Sequence, residues 1–136
     1  MSAENLAYAL IQVAHNLGAV ALVALPVFGL WLRTGPAGAQ RIALVLIAVA
    51  VAQAMTGVFF GAASLYFHGA LPDIHGVTVV ALWVKVAALG FALAAGAAIL
   101  AYGSGWSEAR CAGTWKLALS AAATALIAAA FLRWYS

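Results

Sequence analysis

The stretch VTVVALWVKVAALGFALAAGAAILAY, residues 77–102, decides the fold. It exceeds the roughly 20 apolar residues that carry an α-helix across a ~30 Å hydrocarbon core. A strand is excluded, because an isolated strand cannot satisfy its own backbone in lipid. One full charge interrupts the run, Lys85. An ammonium at that depth costs roughly 2.5–3.5 kcal/mol on insertion scales, so another group has to face it. His15, the only histidine inside an apolar run, is the expected partner.

Working outward, three more runs are long and apolar enough to span: residues 6–32, 42–66 and 115–132. Gly35, Pro36 and Gly38 separate the first two, and Gly69, Pro72 and Asp73 separate the second from the third. Residues 103–113 read as the longest polar loop. Pro26 falls inside the first run and is expected to kink it. Short loops imply antiparallel neighbours, and helices rich in Ala and Gly approach closely. The expectation is an all-α, transmembrane, up-down four-helix bundle, one integral membrane domain over residues 1–136.

Composition agrees. The 136 residues are 68% hydrophobic and 7% charged, against about 25% charged in soluble domains. The net charge of +3 comes from six scattered cations, too few for a nucleic-acid surface. The single cysteine, Cys111, excludes an intramolecular disulfide and a cysteine-cluster metal site. The N-terminus carries Glu4 and no basic segment before its apolar run, so that run reads as a retained helix rather than a signal peptide.

Cations at the span ends set the orientation. Arg33, Arg41, Arg110 and Lys116 fall on one side; Arg133 falls on the other with Glu4 and Asp73. The four-cation side is expected to be cytoplasmic. Both termini then face the periplasm, in a bacterial inner membrane. Trp31, Trp106 and Trp115 read as the inner aromatic belt, and Tyr8, Tyr66, Trp134 and Tyr135 as the outer one.

Counted from the outer surface at 1.5 Å per residue, His15 and Lys85 both lie roughly 12–15 Å deep and can share one layer. Gln12 and Gly18 share the His15 face of the first helix, and Thr78, Ala81, Ala88 and Ala92 share the Lys85 face of the third. The second span adds Gln53, Thr56 and Gly57 near mid-membrane. Intramembrane ionisable groups are functional candidates; a hydrogen-bonded pair that only fixes helix packing is the alternative. His68, His75 and Asp73 flank the outer turn and form a candidate copper or zinc site, or two interfacial loop histidines. Met55 reads as packing. The sequence holds no phosphate loop, catalytic triad or paired carboxylate, and no catalytic activity of its own is expected.

Two segments, AHNLGAVALVALPVFGLWL at 14–32 and ALWVKVAALGFAL at 81–93, resemble the CopD/HemJ-like membrane proteins. These are small helical bundles associated with copper handling, or with b-type haem and late haem biosynthesis. The shared order is a histidine in the first helix and a lysine in the third. The resemblance implies that His15 and Lys85 are haem-associated. The leading expectation is a haem-linked electron-transfer protein with a b-type haem near the outer leaflet. There His15 ligates iron, Lys85 pairs a propionate or acts as second ligand, and Gln12 lines the pocket. A non-catalytic accessory subunit, packed against other membrane subunits or further copies of itself, is the alternative. Copper handling through His68, His75 and Asp73 is the third.

Overall fold

The computed structural model describes residues 2–32 and 35–135, the side chain of Tyr135 excepted. Arg33 and the Tyr135 side chain, used above for orientation and belts, lie outside the described residues. The chain forms four helices: α1 (Ala3–Trp31), α2 (Gly35–His68), α3 (Val77–Tyr102) and α4 (Glu108–Tyr135). All four are long and apolar enough to cross a membrane, and no strand occurs among the described residues.

Local chemistry sets the ends. Ser2 caps α1, its hydroxyl accepting from the Asn5 amide at 3.2 Å, and Glu4 stands in the first turn where the helix dipole favours a negative charge. α1 runs through Pro26 to Trp31. The connection between α2 and α3 begins at Gly69 (φ 70°) and ends at Gly76 (φ 57°), left-handed positions that suit glycine. Thr78 ties off the α3 start: its hydroxyl donates to the His75 carbonyl at 2.8 Å and accepts from the His75 amide at 3.0 Å.

Two elements outrun their expected spans. α2 begins at Gly35 instead of residue 42. The polar stretch 103–113 is mostly helical: residues Gly103–Gly105 make one 3-10 turn, and α4 starts at Glu108. Ser107 explains the second case. Its hydroxyl accepts from the Arg110 amide at 3.3 Å and its carbonyl from the Cys111 amide at 3.0 Å. Polarity in this segment marks the first turns of a helix.

The helices pack as a ring, α1–α2–α3–α4, each against its two neighbours. Neighbours run antiparallel. Glu4 of α1 meets His68 of α2, Gln40 of α2 donates to the Leu100 carbonyl of α3 at 3.0 Å, and Gly29 of α1 lies under Trp115 of α4. One end of the bundle therefore holds both termini and the 69–76 connection; the other holds Trp106.

The inward seams follow spacings of three and four residues, the period of interlocking helices in a bundle. On α2 the seam is Ala39, Ala43, Leu46, Ala50 and Gln53; on α4 it is Trp115, Ala118, Ala122, Ala125 and Ala128. Alanine dominates because small side chains let backbones approach. At the Trp106 end the seam residues other than Gln53, Ala125 and Ala128 join Leu22, Ala95 and Ile99 in one core. Trp115, expected in the interfacial belt, is instead the largest member of that core at 1% exposure. Gly29 makes room for it: a Cβ there would collide with the indole. Trp31, Tyr66 and Trp134 stay exposed at the helix ends, as belt residues should.

The core is one-sided. α1 buries nothing before Leu22, and α2 buries nothing after Gln53. In the half nearest the termini only α3 and α4 keep buried residues, Thr78, Ala81, Ala125 and Ala128, so the α1–α2 side is the looser one, and the polar layer lies at its base.

Candidate functional site

His15, Gln53 and Lys85 all occupy inward seam positions. Lys85 stands between Ala81 and Ala88 on the buried stripe of α3. Gln53 ends the buried stripe of α2, and His15 is two heptad-like steps before Gly29 on α1. Three helices thus deliver their polar seam residues to one level, across the ring from α1 to α3.

The contacts form a single network. His15 Nδ1 lies 2.8 Å from Thr56 Oγ1, and the Thr56 hydroxyl donates to the Gln53 carbonyl at 3.0 Å. With its hydrogen committed there, Thr56 is the acceptor and His15 Nδ1–H the donor. That choice leaves the lone pair of His15 on Nε2. Lys85 Nζ stands 3.0 Å from it and Gln53 Nε2 3.2 Å, both donors. One lone pair therefore faces two donors. Gln53 is 6% exposed, and its Oε1 is buried without a hydrogen-bond partner among the described residues. It lies against Gly18, where any side chain would strike it.

Among the described residues no carboxylate reaches the layer. The three acidic residues are Glu4, Asp73 and Glu108. Glu4 pairs with His68 at 3.0 Å, Asp73 stands 3.8 Å from His75 at the exposed turn, and Glu108 opens α4 at the far end. Toward the termini the layer is bounded by aromatics. Phe60 meets the His15 ring nearly edge-on at 5.7 Å, and Tyr8 lies 6.4 Å from both Phe60 and Phe67.

The structure brings His15 and Lys85 into direct contact, as depth counting expects. Gln12 lies one turn away and donates its amide to Asn16 Oδ1 at 2.8 Å. Gln53 and Thr56 complete the layer; the sequence placed them at mid-membrane, yet nothing in an all-apolar helix fixed its rotation. Thr78 is buried but its hydroxyl serves the α3 start. His68, His75 and Asp73 do not converge: His68 is engaged by Glu4 and His75 by Asp73. Among the described residues no group of three His, Cys, Asp or Glu is placed to hold a metal ion. Met55 points outward and is exposed.

Chemically, the layer offers an oriented imidazole lone pair, an amine with three hydrogens, and a carboxamide, within a membrane-spanning bundle. It suits a ligand that needs one nitrogen donor and one cationic partner. Comparison with protein-family models, with curated proteins and with solved structures returns no match.

Proposed function

We propose that this chain is an integral membrane electron-transfer protein that holds a b-type haem in the His15–Lys85 layer. The observation that carries the reading is an oriented imidazole in contact with an ammonium. His15 presents Nε2 while Thr56 holds Nδ1–H, the hydrogen-bonding pattern that orients metal-ligating histidines. Beside it stands an ammonium that no carboxylate among the described residues reaches.

The donor types suit haem in one arrangement, reached by rotating Lys85 and Gln53 away from Nε2, and not in another. Metal–imidazole bonds of about 2 Å put two axial nitrogens about 4 Å apart, whereas His15 Nε2 and Lys85 Nζ are 3.0 Å apart. Lys85 therefore does not serve as the second axial ligand in this geometry. His15 as the single protein ligand, with Lys85 as the partner of a propionate carboxylate, would require Lys85 Nζ and Gln53 Nε2, now 3.0 and 3.2 Å from Nε2, to turn off that lone pair. When bound, haem would supply one-electron chemistry; the protein's levers are ligand identity, charge and burial. His15 supplies the nitrogen, Thr56 holds its orientation, Lys85 supplies positive charge, and Phe60 shields the imidazole from the termini end.

In this reading the termini end faces the periplasm of a bacterial inner membrane and the Trp106 end faces the cytoplasm. Arg41, Arg110 and Lys116 at the Trp106 end support that orientation. Absorption spectra of the oxidised and dithionite-reduced protein, purified in mild detergent from haem-supplemented cells, test the proposal. A reduced α-band that is absent from His15→Ala and retained in His68→Ala is the expected result. A folded preparation without haem absorbance would refute it, and the layer would then be a packing device in an accessory subunit of a larger membrane complex.

A further inference from the structure

A second polar feature lies at the opposite end of the bundle and has no part in the His15 layer. Trp115 is 1% exposed, and its indole Nε1–H is buried with no acceptor among the described residues. A buried donor left unpaired is costly, and native structures rarely leave one so without a water or a ligand to meet it. Beside this donor lies a cavity of about 340 Å³, lined among others by Gly29, Leu30, Pro36, Trp106, Glu108 and Trp115 itself. That volume falls at the lower end of small-molecule sites, about 300–1,000 Å³.

The donor and the cavity share a wall. A Cβ on Gly29 would come within 2.8 Å of three indole ring atoms, so the indole packs over the bare backbone of a cavity-lining residue with its nitrogen covered. Trp106 supplies a second aromatic surface, and the guanidinium of Arg110 stacks on it 4.8 Å from the ring centre. The chemistry of the lining narrows the occupant. The carboxylate of Glu108 and the guanidinium of Arg110 offset each other, which favours a neutral occupant. An unpaired N–H asks for an acceptor and gives nothing to a cation. Leu30, Pro36 and the aromatic rings favour an apolar body.

We propose that this cavity takes the carbonyl-bearing head of a neutral membrane amphiphile, a small turn of the indole bringing its covered Nε1–H to that carbonyl. A quinone ring and a lipid ester share this chemistry. The inference does not rest on haem binding and stands or falls separately from it.

The test uses the full chain in maltoside micelles with its five tryptophans labelled with 15N at the indole nitrogen. The Trp115 signal is assigned as the one missing from Trp115→Phe. A decyl-substituted benzoquinone and, separately, a neutral diacylglycerol are titrated in. The expected result is a saturable downfield shift of the Trp115 N–H with at least one probe, while Trp83 and Trp134, exposed elsewhere on the bundle, stay fixed. A shift with the quinone alone assigns a quinone ring; a shift with the diacylglycerol alone assigns a lipid ester. Ala109→Leu enlarges an exposed cavity-lining residue on α4 that the helix tolerates. It is expected to weaken the titration by about tenfold or more. No shift with either probe, or an equal drift of all the indole signals, would overturn the proposal and leave water as the acceptor.

Discussion

Lys85→Met isolates what the amine contributes, because methionine keeps the length and flexibility of the side chain and removes its charge. In the folded chain the amine makes one side-chain hydrogen bond, to His15 Nε2 at 3.0 Å. Hydrogen bonds to charged groups are worth about 1.5–3 kcal/mol. Against that stands the cost of an ammonium in the membrane interior, about 2.5–3.5 kcal/mol. The difference runs from about −0.5 to about +2 kcal/mol in favour of the variant. Lys85→Met should therefore unfold at the same or higher denaturant than the parent. Reversible unfolding in mixed micelles, followed by helical circular dichroism as the denaturing detergent is raised, measures this directly. His15→Leu should behave oppositely, since it leaves the amine in place without its acceptor, a loss of about 1–3 kcal/mol. The double variant should recover most of that loss. A Lys85→Met protein destabilised by more than about 2 kcal/mol would refute the reasoning. Lys85 would then be a structural clamp, and a lysine kept for an incoming carboxylate would no longer be needed to explain it.

Thr56→Val should release the His15 tautomer at a cost of about 0.5–1.5 kcal/mol; 15N spectra of the imidazole should show the Nδ1-protonated form giving way to a mixture, while Thr56→Ser keeps it. Gly18→Val should drive the Gln53 amide away from His15 and lower stability by about 1–3 kcal/mol, as overpacking does; an unchanged His15 Nε2 resonance in that variant would count against the contact. Glu4→Gln should change stability by no more than about 1 kcal/mol, because the Glu4–His68 pair is solvent-exposed. The same unfolding titration, run at low and high salt, checks it.

Fold class was legible because spanning a membrane imposes a length and a composition that few other architectures satisfy. The meeting of His15 and Lys85 followed from depth alone, since 1.5 Å per residue converts sequence position into height in a bundle. Rotation did not follow. Gln53 and Thr56 sit in a helix whose faces are all apolar, so no stripe marked the inward side, and only packing against Gly18 and Lys85 selected it. Gln12 shows how a local bond competes with a shared face. Its spacing from His15 is right for a shared face, but Asn16, one turn further on, captured its amide. Trp115 was misplaced because a tryptophan near a span end usually sits at the interface. The signal that could have corrected this was Gly29 on a helix that must pass beside it. The early start of α4 was readable from Ser107 followed by Glu108, an N-cap and a first-turn acid hidden inside a segment judged by polarity.

The uneven core has a consequence for motion. Buried side chains lock α1 to its neighbours from Leu22 onward and leave its first five turns to the His15 hydrogen bonds, the Glu4–His68 pair and ring contacts. The same division cuts α2 at Gln53. Opening the bundle at the termini therefore requires no rupture of the packed end; the two segments can swing as arms from a fixed pivot. Amide exchange should be graded along each of these helices, slow beside Trp115 and fast beside Tyr8, with the His15 layer at the boundary. A bulky molecule reaching that layer would then arrive by parting two helices at their free tips, sideways from the lipid, with the anchored half of the bundle undisturbed.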